Sequence, residues 1–155
     1  MSAALLAVPG VGEPGQVAGE VAAVDGELER ARPGAARLAA ETASTGQRST
    51  IAMAMARLWA TVDDPNAFIE ADLDFHRAVF SAANNDLLLY IHDVVSVALG
   101  VIRPLHSRSV GHNRETLPSH ERVAVAIRRG HHRKAENAMR EIVELARADA
   151  LREVR

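Results

Sequence analysis

Between Phe68 and Asn85 the sequence FIEADLDFHRAVFSAANN repeats its apolar residues with a helical period and sets a carboxylate inside the repeat. Phe68, Asp72, Phe75, His76, Val79 and Ala83 fall on one helix face. Asp72 and His76 are four residues apart, one turn above each other on the face that should enter the core. A carboxylate there costs free energy unless something pairs with it. The partners that can do so are an imidazolium, a guanidinium or a metal ion. Any fold for this chain has to bury this helix and supply that partner.

The rest of the chain repeats the same period. Glu27 to Ala43 reads as a helix with Pro33 as a kink or a fresh start, and Ala36, Leu38, Ala39 and Ala43 inward. Thr45 to Trp59 carries Ile51, Met55, Leu58 and Trp59 at helical spacing, as core rather than cofactor contacts. Asp64-Pro65 reads as an N-cap followed by proline at the first helical position, and Asn84-Asn85 as the stop. Asp86 then caps a helix from Leu87 to about Arg103, with Leu88, Ile91, His92, Val95, Leu99 and Ile102 inward. Pro104 ends it. His106 to Arg114 is polar and reads as a loop. Thr116 opens a helix that Gly130 closes, with Leu117, His120, Val123, Ala124 and Ile127 inward. The last helix spans about Arg133 to Val154, with Ala135, Ala138, Met139, Ile142, Leu145 and Ala146 inward.

These stripes predict an all-α antiparallel bundle of about six helices, folded over residues 26–155. Residues 1–25, rich in Ala, Gly, Val and Pro, read as a flexible tail, with room for a short helix from Gln16. Composition agrees: aromatics are 3% and charged residues 25% of 155 residues, which favours helix in a globular domain. A net charge of −2 gives no basic field for nucleic acid or an anionic membrane. No cysteine is present, which excludes disulfides and thiolate metal sites and fits a reducing cytoplasm. No apolar run is long enough to span a bilayer, and the first residues do not form a signal peptide.

The residues that can carry chemistry are one Asp and two His from two helices. Asp72, His76 and His120 each interrupt an apolar stripe. Imidazole nitrogen and carboxylate oxygen suit zinc, nickel, manganese or iron. An i, i+4 pair plus a third ligand from a facing helix is a workable bundle-core metal geometry. The same residues also allow a simpler arrangement, in which His76 is hydrogen-bonded by Asp72 and His120 is half-buried. The spacing D-x-x-x-H leaves both open. His92 lies on its own stripe, where it either packs or approaches the site. Arg103 ends that stripe, where it either faces water or clamps a carboxylate. His131 and His132 read as exposed, and the cluster Arg128, Arg129, Arg133 and Lys134 as a solvated face.

ADLDFHRAVFSAANNDLLL, followed by SHERVAVAIRRGHHRKAENAMREI, resembles the FadR C-terminal (FCD) effector domain of GntR-type bacterial transcription regulators. ARPGAARLAAE and DDPNAF are similar to the earlier helices of that domain. The resemblance covers roughly Glu27 to Val154. It implies a helical bundle with a central cavity, a divalent metal (zinc, nickel or manganese) on Asp72, His76 and His120, and a small carboxylate effector. It also implies a homodimer. Two departures stand out. A histidine common in the last helix of the family is Ile142 here, which leaves coordination positions for water or effector. The winged helix-turn-helix expected before such a domain has no counterpart in the residues preceding Glu27, so no direct DNA contact is expected from this chain. A ligand-sensing regulatory domain, rather than an enzyme, is therefore the expectation. A small metal-dependent enzyme and a ligand-free dimerisation module are the alternatives.

Overall fold

The computed structural model describes residues 14–102 and 110–153. Among them are six α-helices and no strand: α1 (Pro14–Thr42), α2 (Thr45–Ala60), α3 (Pro65–Ala82), α4 (Asp86–Ile102), α5 (Val110–Arg128) and α6 (His132–Glu153). No described helix is long and apolar enough to cross a membrane. The all-α bundle expected from the stripes is the fold observed.

α3 is the element that the others surround. It packs against α1, α2, α4 and α5. Its Phe68, Phe75 and Phe80 are fully buried, and each contributes about 1.5–3 kcal/mol over an exposed position. Phe68 and Phe75 join the larger core with Ile51, Leu58, Leu117, Ile127 and Met139, while Phe80 joins Leu28 and Val95 in a second cluster. α1 contributes Ala35, Ala36, Ala39, Ala40 and Ala43, and α6 contributes Ala135 and Ala138. Side chains this small let two helix axes approach closely, and α1 and α6 pack along one another.

The helix ends follow from local chemistry. Asp64 accepts hydrogen bonds from the Asn66 and Ala67 amides, both at 3.1 Å, with Pro65 at the first helical position as expected. Ser44 and Gln47 form a capping box on α2. Asn84 ends α3 with φ 50°, and its side chain donates to the Thr42 carbonyl at 3.0 Å and accepts from Gln47 Nε2 at 2.9 Å. Gly130 ends α5 with φ 69°, and the His131 amide reaches back to the Ala126 carbonyl at 2.9 Å. Arg48 donates to the Ile127 and Arg128 carbonyls, both at 2.6 Å, so α2 caps the C-terminus of α5.

Several expectations are corrected here. Pro14–Asp25, read as tail, forms the first turns of α1, and the helix continues through Pro33. The boundary expected near residue 26 falls inside that helix. Trp59 is 49% exposed and Ile91 is also exposed. Asn85, not Asp86, caps α4: its side chain accepts from the Leu88 amide at 3.1 Å. Val110–Arg114, read as loop, is helical, and Thr116 lies inside α5 rather than at its cap. The side chains of Leu99 and Ile102, and all of Arg103 and His106, lie outside the described residues.

Asn84 joins α1, α2 and α3 while holding a backbone conformation that suits Asn or Gly. Asn84→Ala loses both contributions and should lower unfolding free energy by about 1–2 kcal/mol. Asn84→Gly restores the backbone freedom and should cost less. Urea denaturation of the two variants measures the difference.

Candidate metal centre

Asp72 and His76 lie on the inner face of α3, and His120 faces them from α5. All three are buried, at 5%, 2% and 1% exposure respectively. Asp72 Oδ1 is 3.0 Å from His120 Nε2 and 3.5 Å from His76 Nε2. One potential ligand atom from each residue lies within 4.8 Å of the others. Phe75 packs edge-on against both imidazoles, at 5.7 Å from His76 and 5.1 Å from His120 between ring centroids. The three side chains singled out in the sequence therefore meet.

The hydrogen bond of His120 to its own helix defines its chemistry. Nδ1 is 2.9 Å from the Thr116 carbonyl. A carbonyl only accepts, so Nδ1 carries a proton. In a neutral His120, Nε2 is then a bare lone pair aimed at a carboxylate oxygen. Two acceptors do not sit 3.0 Å apart without a proton or a metal ion between them. Metal bonds of about 2.1 Å at tetrahedral or octahedral angles set neighbouring ligand atoms about 3.0–3.4 Å apart. The 3.0 Å Asp72–His120 distance fits that spacing, and the 3.5 Å Asp72–His76 distance lies just beyond it. The Nδ1–H to carbonyl bond is the second contact that metal-ligating histidines usually make.

His76 is suited to the same role by burial. Desolvation lowers its pKa to about 3; Asp72 opposes the shift, and the charges of Arg32 and His120 add to it. His76 is thus neutral near pH 7, as a ligand must be. Its Nδ1 has no hydrogen-bond partner.

The remaining sequence candidates are placed elsewhere. His92 is buried on α4, stacked 4.7 Å from Phe80, with Nδ1 3.3 Å from Asp93 and Nε2 3.5 Å from Ser96. Burial lowers its pKa too, against its hydrogen bond to the Asp93 carboxylate. It is not one of the three clustered residues. His131 is exposed and His132 half-exposed at the start of α6. Ile142 is buried in the core. A groove of about 550 Å³ between α5 and α6, lined by Glu121, Arg122, Arg129, His131 and Lys134 among others, contains none of the triad.

Two further buried polar residues with unpartnered side-chain atoms were not anticipated. Arg32, on α1, is 6% exposed, and its Nε has no partner. Asn113 is fully buried two turns before His120 on the same stripe, and neither atom of its side-chain amide is hydrogen-bonded. Their signal in the sequence is weak. Arg32 continues the i, i+4 series from Leu28 to Ala36, but a charged residue in such a series ordinarily turns outward.

Fold and site together define a helical-bundle domain with a buried Asp/His/His cluster at its centre. The FCD domain family matches residues 28–145, and the chain belongs to that family. Seven chains of solved structures resemble it. One is Streptococcus agalactiae GntR, at TM-score 0.64 and 17% identity, a likeness of fold covering 90% of this chain. The chain spans 62% of that protein's length. No curated protein sequence matches.

The depressed His76 pKa has a consequence for folding of the metal-free protein. The unfolded chain takes up a proton near pH 6.5, whereas the folded site refuses it until about 3. Stability contributed by neutral His76 is full above pH 6.5 and declines as pH falls below it, with a limiting slope of ~1.4 kcal/mol per unit. His76→Gln should flatten this part of the stability–pH curve, measured by urea denaturation between pH 4.5 and 7.5 with chelator present.

Proposed function

We propose that this chain is the ligand-sensing domain of a GntR-type transcription regulator of the FadR branch. It binds a small carboxylate metabolite through a divalent metal held by Asp72, His76 and His120. The supporting observation is the buried convergence of Asp72, His76 and His120, with a proton or a metal ion needed between Asp72 and His120. Membership of the FCD family agrees with effector sensing. When bound, a zinc, nickel or manganese ion supplies a Lewis-acidic centre for carboxylate oxygens. Asp72 contributes the negative charge of the site. His120 is held in the ligating tautomer by Thr116, and His76 is kept neutral by burial. Ile142 contributes no donor atom, so three protein ligands leave positions for water or a carboxylate. The role is binding, not turnover.

His120→Ala should abolish thermal stabilisation by added zinc or nickel while circular dichroism remains helical. His131→Ala and His132→Ala should retain that stabilisation. Equal stabilisation of the His120→Ala and wild-type chains by metal would overturn the assignment.

The same reading includes a homodimer. α4 turns Leu87, Tyr90, Val94 and Val97 to solvent, each more than half exposed, at helical spacing on one face. Its other side carries buried His92 and Val95 towards the bundle. An apolar stripe crossing its own copy about a two-fold axis is self-complementary, so a second copy of this chain is its occupant. Val94→Asp should shift sedimentation from dimer to monomer at tens of micromolar. A wild-type chain that is monomeric there would refute the dimer.

A further inference from the structure

Every exposed Arg or Lys among the described residues is ion-paired with a carboxylate except Arg128, Arg129, Arg133 and Lys134. These lie together on either side of Gly130, at the α5–α6 turn. The helix ends strengthen their field. The first turn of α6 has no acidic residue, so its amide dipoles are unopposed there. The last carbonyls of α5 would bring negative charge, but Arg48 covers two of them.

Exposed cations need no partner by themselves. What sets this cluster apart is the groove it adjoins. Arg129, His131 and Lys134 line one end of the α5–α6 groove, whose volume is about 550 Å³. Small-ligand sites span roughly 300–1,000 Å³. Half-buried Val125 and buried Ala126 and Ala138 line its middle. Glu121 and the Arg122–Glu141 ion pair stand at the other end. The groove is therefore positive at one end, apolar in the middle and acidic at the other end.

That asymmetry selects the occupant. A polyanion such as nucleic acid laid along the groove would run onto Glu121 and Glu141. A wholly apolar ligand would leave the cations without a counterion. A molecule with one strongly anionic head and an apolar body suits both the positive end and the middle. Paired cations beside a helix start suit a phosphate better than a carboxylate, because a phosphate monoester brings about two charges and three acceptor oxygens.

We propose that the α5–α6 groove is a second ligand site, separate from the Asp72, His76 and His120 cluster, for a small phosphate monoester with an apolar or aromatic body, the class that includes nucleoside monophosphates. Arg129 and Lys134 receive the phosphate, and Val125, Ala126 and Ala138 receive the body. The site uses no metal, so it stands or falls independently of the metal reading.

The test titrates the full chain calorimetrically, with chelator present. The ligands are phenyl phosphate and adenosine monophosphate, with inorganic phosphate and adenosine as head and body alone. At least one ester should bind about fivefold or more tightly than inorganic phosphate, the gain from burying an apolar body. Adenosine should bind about tenfold or more weakly than its monophosphate. The double variant Arg129→Met/Lys134→Met should weaken the ester by about tenfold or more, as expected for lost charge-assisted contacts. Arg128→Met/Arg133→Met removes the same charge outside the groove and should stay within about threefold of wild type. Inorganic phosphate binding as tightly as both esters would reduce the groove to a bare anion site and overturn the proposal. Equal losses in the two double variants would overturn it in favour of a diffuse basic surface, and tighter binding of duplex DNA than of either ester would overturn it in favour of nucleic acid. Should either double variant lose its helical circular dichroism, the wild-type comparison of esters with inorganic phosphate and adenosine decides alone.

Discussion

A carboxylate buried at the middle of a helical bundle has to be compensated, and the structure is arranged around how Asp72 is compensated. Asp72 is on α3, and His120, 3.0 Å away, is on α5. The contact therefore joins residues 48 apart in sequence on two helices. Leaving a buried carboxylate unpaired costs several kcal/mol, more than most single apolar contacts contribute. Phe75 holds both imidazoles at their edges, and Phe68 and Leu117 continue the same core above and below. The apolar packing keeps water away from the triad, and exclusion of water is what makes its charge balance matter.

Much of this was legible because polar residues inside apolar stripes are exceptions, and exceptions carry information. Asp72, His76 and His120 were each recognisable as residues that a helical period sends inward. The ends of α3 and α5 were legible for a related reason: Asp64-Pro65 caps the start of α3, and Asn84 and Gly130 take the positive φ that few residues adopt without strain. Where side chains alone decide, the reading was weaker. Trp59 and Ile91 fit their stripes by spacing but lie at the margins of the buried faces, where a few tens of degrees of helix rotation decide exposure.

The start of α5 was illegible for the opposite reason. GHNRET is polar and contains glycine, which reads as loop, yet His112, Asn113 and Thr116 are buried there. Thr116 bonds within its own helix, donating to the Asn113 carbonyl at 3.1 Å. His112 lies against Asp149 of α6. Polar residues placed inside a domain by function rather than by packing have no periodic hydrophobic signature. Arg32 is the same case on α1: its neighbours predict the inward direction, but its own chemistry predicts water. Both failures are polar residues buried inside helices, where the rules that govern the rest of the core predict exposure.

The proton-or-metal alternative between Asp72 and His120 bears on what such a site can do. A structural metal whose removal unfolds its domain cannot report on a ligand, because the unliganded state is lost. Here a proton can occupy the same position between the same two atoms, and the aromatic and aliphatic core around them is assembled with no ion present. On the proposed reading, the bundle persists without metal, and metal and carboxylate bind to a site whose side chains are already oriented by Thr116 and by burial. Pre-orientation lowers the ordering cost of binding. α3, which carries Asp72 and His76, packs directly against α4, and α4 carries the apolar stripe proposed for the dimer. Occupancy of the triad therefore acts on a helix in contact with the one at the proposed subunit boundary, and this gives ligand binding a physical route to the assembly.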